Sequence, residues 1–183
     1  MPSREPLRDE ELWQACVDAQ EQLAHRHSQF FQQVRGKSEV LCAALSAGHW
    51  QRAAALAFLA DVHDDLALLP QLVDLAMLPG WASQARRAIA NIPREQLVPR
   101  LEELLTAHLD QLTDEDDDYY ALWVEVLADA EAWALLAQLV RAARASPNLL
   151  LQDVAARVAD SYGALVTDGG ETPATAPSIQ DVP

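Results

Sequence analysis

Carboxylates are the residues of this chain whose spacing could do chemistry. Asp114, Asp116 and Asp118 alternate through a run that also holds Glu115 and Asp117, and Glu125 follows in the next stretch. Carboxylate oxygens at this spacing are hard donors that suit calcium. A second set mixes imidazole and carboxylate: His63 beside Asp64, with His49 upstream and Asp110 downstream. Such donors suit a transition metal. His25 and His27 add nothing to either set, because two positions on a helix stand about 200° apart. No hydroxyl or thiol is placed with a base as an activated nucleophile, and no Gly-rich phosphate loop occurs.

The acidic run resembles the calcium loop of EF-hand proteins, with Asp114, Asp116 and Asp118 at alternate positions and Glu125 at the twelfth. It departs from that pattern at the sixth position, where Tyr119 replaces the glycine of the sharp turn, and at the ninth, Leu122. No second copy pairs with it. The plainer expectation is an acidic loop entering a helix, with Asp118 or a neighbour as N-cap and the charges complementing the dipole. His49, His63-Asp64 and Asp110 are faintly similar to the metal set of HD-type phosphohydrolases, which are also all-helical. That resemblance implies a metal-dependent hydrolase, whereas Asp64-Asp65 also reads as an ordinary helix start. No catalytic residue, metal or cofactor is assigned.

Charge says more than motif. Residues 101–140 contain no Lys or Arg and eleven acids: Glu102, Glu103, Asp110, Asp114, Glu115, Asp116, Asp117, Asp118, Glu125, Asp129 and Glu131. Tyr119 and Tyr120 adjoin the densest part. The candidate partner-binding set is therefore Asp114, Glu115, Asp116, Asp117, Asp118, Tyr119 and Tyr120, with tyrosine anchoring and acids steering a basic protein. The chain's net charge of −15 agrees with such a partner. Nucleic acid is not expected, since its affinity rests on Lys and Arg. Only Arg86-Arg87 and Arg94 with Arg100 offer a basic patch. A polybasic membrane segment and an apolar run of the roughly 20 residues a span needs are also missing.

The opening residues contain no apolar signal region, and the expected compartment is the cytoplasm. Cys16 and Cys42 share no C-x-x-C spacing and are expected to be two small buried thiols. Twelve Arg against one Lys, with heavy Ala and Leu, suggests a GC-rich bacterial genome.

The elements that must carry these residues are helical. Half the chain is apolar, mostly Ala and Leu, which lose little side-chain freedom on a helix. After an extension over residues 1–8, residues 9–37 hold one long amphipathic helix, spanning 9–35, with Gly36 as its stop. Trp13, Cys16, Val17, Leu23, Phe30, Phe31 and Val34 form its apolar stripe, interrupted by Gln20 and His27. So apolar a stripe is expected to lie along the rest of the fold. Further helices are expected over residues 39–47, 49–62, 64–78, 81–92, 94–112, 119–129, 131–145 and 147–163, set off by Gly and Pro. Residues 164–183 turn to Gly, Thr, Pro and Ser and are expected to be a disordered tail.

A repeat runs through the helices. Leu69-Pro70-Gln71-Leu72-Val73, Val98-Pro99-Arg100-Leu101 and Leu136-Ala137-Gln138-Leu139-Val140 are alike, and each precedes a helix with small residues on its face. The pattern over residues 38–163 resembles α-solenoid repeats of the HEAT type, with a secondary likeness to tetratricopeptide repeats in Gly48-x-Trp50-x-x-Ala53. The expected fold is all-α, an α-solenoid of about four stacked antiparallel helix pairs preceded by the long helix. That resemblance implies a protein-interaction module, and the charge suggests an inhibitor or immunity-type protein that neutralises a basic partner. The alternative is an adaptor or chaperone-like protein that self-associates or binds clients through its first helix. An exposed apolar face on residues 9–35 would favour the adaptor.

Overall fold

The structure, a computed structural model, describes residues 8–62, 64–109 and 117–167. Among these residues it is all-helical, with no strand. The elements are α1 (Asp9–Gln33), α2 (Lys37–Ser46), α3 (His49–Asp61), a 3-10 turn (Leu66–Leu68), α4 (Leu69–Ala76), α5 (Ala82–Ala90), α6 (Arg94–Leu109), α7 (Asp117–Asp129), α8 (Trp133–Ala145) and α9 (Leu149–Thr167).

Helices consecutive in sequence pack together: α2 on α3, α4 on α5, α7 on α8, and α8 on α9. A second set of contacts joins α3 to α5, α5 to α7, and α7 to α9. The core between them is Leu- and Ala-rich. Leu56, Leu69, Leu101, Trp123, Leu127 and Leu136 are all fully buried. Buried alanines on α5 (Ala82, Ala85, Ala88) let α3 and α4 approach closely.

Side chains tie the pairs together at their ends. Arg52 on α3 donates from Nε to the Leu45 carbonyl at 2.7 Å and from Nη2 to the Ala47 carbonyl at 3.2 Å. It thereby satisfies carbonyls that the end of α2 leaves without intrahelical donors. Ser38 Oγ donates to Asp65 Oδ2 at 2.6 Å, and Gln71 Nε2 donates to Ser46 Oγ at 2.6 Å, holding α2 against the approach to α4. Asn91 Nδ2 donates to the Leu59 carbonyl at 2.8 Å, fixing the end of α5 on α3.

Several boundaries differ from the sequence expectation. Gly36 does not stop the first helix, which ends at Gln33; it is the residue before α2. Asp65 opens a 3-10 turn, accepting from the Ala67 N–H at 3.0 Å, and α4 begins only at Leu69. Glu131 is not helical: with φ of 51° it takes the left-handed conformation that closes α7, and the Ala132 N–H reaches back to the Leu127 carbonyl at 2.8 Å. Gly163 lies inside α9, because Tyr162 packs on Trp133 and Val166 is buried beyond it. Packing of these two side chains outweighs one glycine's cost of about 1 kcal/mol. Residues 110–112 and 168–183, parts of an expected helix and of the expected tail, lie outside the described residues.

Candidate interaction surface

The first helix is the element that the core does not absorb. No residue of α1 is buried. Over residues 9–22 every position except Val17 is exposed; Trp13 keeps 71% of its surface in water and Leu12 50%. The stripe therefore does not lie along the stack as the sequence suggested. Only its last turns dock: His27 and Phe30 set their rings edge-on against Phe58 of α3, each at 5.1 Å between centroids. Past them, Lys37 sits over the Phe31 ring at 5.2 Å.

Beside this dock lies an open apolar groove of about 750 Å³. Its walls are Phe30 and His27 of α1, Val40, Ala43 and Ala44 of α2, and Ala54 and Phe58 of α3. Alanines make it: their short side chains leave room that a leucine would fill. Val40 is itself an exposed apolar side chain. The groove continues the apolar stripe of α1, so stripe and groove form one surface. Neither cysteine is buried: Cys16 on the stripe and Cys42 on α2 are both exposed free thiols.

The acidic set is described only in part. Asp114, Glu115 and Asp116 lie outside the described residues, and the backbone of Asp117 starts α7. Asp118 is exposed. The tyrosines turn inward: Tyr120 is 9% exposed and belongs to the core, and Tyr119 is half-buried beside His108, 6.2 Å between centroids. Neither is an open anchor for a partner. The acids further along are partly neutralised. Arg86 of α5 pairs with Glu125 and, from Nε, with Asp129 at 2.7 Å; Arg100 pairs with Glu103; Arg94 approaches Glu131 at 4.0 Å. With Arg87 on Asp61 at 2.9 Å, all four arginines of the basic patch face carboxylates.

The metal-like sets do not assemble among the described residues, where no group of three or more His, Cys, Asp or Glu could hold an ion. Glu125 faces Arg86, and His49 lies against Trp50 and Trp81. His63 and Asp110 lie outside the described residues. Also among them, no helix is long and apolar enough to cross a membrane.

Fold and surface together describe an all-helical protein with an unburied apolar helix face and an adjoining groove. No protein-family model, curated protein or solved structure matches the chain.

Proposed function

We propose that the chain is a helical adaptor, a protein-interaction module that binds through α1 and the groove beside it. The observation that carries this reading is the exposed stripe, with Trp13 and Leu12 at its head. Exposed aromatic and aliphatic side chains beside a concave apolar surface are the usual material of an interface core. The finer architecture proposed is a HEAT- or tetratricopeptide-like solenoid of about four helix pairs. The contacts from α3 through α5 and α7 to α9 support it, as does the burial of Leu72, Leu101 and Leu139. Against strict equivalence, Pro70 stands in the first turn of α4, whereas Pro99 stands inside α6.

A second reading keeps the acidic segment as the binding face, in an inhibitor or immunity-type protein for a basic partner. The net charge of −15 favours it. The inward tyrosines and the paired acids weigh against it.

A photo-reactive amino acid placed at position 13 tests the first reading, and one at position 118 tests the second. Crosslinked protein from position 13 alone is the expected result. Products from position 118 alone would transfer binding to the acidic end.

A further inference from the structure

We infer that the occupant of the groove is a second copy of this chain, paired antiparallel through α1, so that each copy's Trp13 seats in the other's groove. This rests on the adaptor reading and names its partner.

Three observations carry it. The first is reach. Trp13 and Phe30 lie on one rigid helix, and 17 residues at 1.5 Å per residue separate them by about 26 Å. Trp13 cannot fold back into its own groove, but it can enter a neighbour's. The second is self-complementarity. Each chain carries one projecting apolar end and one groove on the same helix, so a two-fold axis near residues 21 and 22 satisfies both at once and closes the assembly. In that register Trp13 faces the partner copy's groove beside Phe30, and Gln20 and Leu23 meet at the crossing. The third is charge. Residues 9–22 contain Asp9, Glu10, Glu11, Asp18 and Glu21 and no Lys or Arg. Residues 23–37 contain Arg26, Arg35 and Lys37 and no acid. This division also suits the helix dipole, but that effect fades beyond the first and last turns, and the segregation continues to the middle of the helix. Within α1 itself Arg26 is the one cation, and an antiparallel pair brings it beside the partner copy's Asp18, twice by symmetry; Arg35 and Lys37 follow the helix. A parallel pair would set like against like.

Sedimentation equilibrium of the full chain over a range of concentrations tests the inference. The chain should be a dimer. Trp13→Ala should raise its dissociation constant about thirtyfold or more, as loss of an interface aromatic seated in a pocket does. Ala54→Glu, an exposed groove position, should act likewise, with circular dichroism showing both variants folded. A variant with Asp9, Glu10, Asp18 and Glu21 changed to Lys, and another with Arg26, Arg35 and Lys37 changed to Glu, should each be monomeric alone and dimerise when mixed. A chain that stays monomeric at every concentration would overturn the self-pairing. In that case crosslinks from position 13 to other proteins would leave the adaptor reading standing, and their absence would remove it too. A dimer indifferent to Trp13→Ala and Ala54→Glu would overturn pairing through α1, and crosslinks from position 13 would again decide the adaptor reading.

Discussion

Phe30 of α1 meets Phe58 of α3 edge-on, with ring centroids 5.1 Å apart and planes at 85°. With His27, one turn earlier, edge-on to the same ring, this contact docks the end of α1 onto the helical stack. Phe58 is buried and Phe30 only half-buried, so the two rings are not equivalent. Phe58→Ala should cost about 3–5 kcal/mol, the range for emptying a buried aromatic site. Phe30→Ala should cost roughly 1 kcal/mol, near the worth of the aromatic pair alone. Urea denaturation measures both. Phe30→Ala should also expose the α1–α2 junction to protease before the remaining helices unfold.

Arg86 joins α5 to α7 by pairing with two acids four residues apart, Glu125 and Asp129. The arginine side chain is 18% exposed, while both carboxylates are about half exposed. Solvent screening keeps such a cluster modest, so Arg86→Ala should lower stability by about 1 kcal/mol. The difference from the wild type should shrink at high salt, which thermal melts at two ionic strengths would read.

Glu131 holds a left-handed backbone at the end of α7, with φ of 51°. A side chain there costs roughly 1–2 kcal/mol that glycine avoids. Glycine gives part of that back through its freer unfolded chain. Its distant approach to Arg94, at 4.0 Å, contributes little. Glu131→Gly should therefore stabilise the protein, by about 0.5–1 kcal/mol, as an upward shift in the urea midpoint.

Tyr120 belongs to the core and not to the surface of the acidic segment. Tyr120→Ala should cost about 3 kcal/mol of stability, as large aromatic deletions in cores do. Asp118→Asn, on the exposed side of the same turn, should leave the stability unchanged to within about 0.5 kcal/mol. Equal stability of the two variants would return Tyr120 to the surface.

The helical class was legible because Ala and Leu recur at helical spacing and Gly and Pro punctuate the chain. The capping details were not. Whether Gly163 ends α9 depends on Tyr162 reaching Trp133 and on the burial of Val166, contacts that no local pattern encodes. Glu131 reads as a good helix former, yet the turn into α8 needs a left-handed residue there. The stripe of α1 was read correctly as apolar, while its placement was not: periodicity shows that a face wants burial but not whether the same chain buries it. Cys16 was misplaced for that reason, since it shares the stripe. The inward turn of the tyrosines beside the acidic run was not legible, because proximity in sequence to charge says nothing about which way a helical side chain turns. The groove left no signal, because Ala43, Ala44 and Ala54 look like ordinary close-packing alanines until α1 is seen to stop short of covering them.

The pairing of α1 with a second copy is tested most directly by a distance between labels at position 14. Gln14 is exposed and off the apolar stripe, and Gln14→Cys with Cys16→Ala and Cys42→Ser makes it the single site for a nitroxide label. In the antiparallel register the two residue-14 backbones are offset by about 22 Å along the helices and lie about 8–10 Å apart across them. Dipolar spectroscopy should then give one distance of about 25 Å or more, with the paired fraction reduced in Trp13→Ala at concentrations near the dissociation constant. A distance under about 20 Å would mean parallel helices, and no dipolar coupling at any concentration would mean that α1 does not pair with itself.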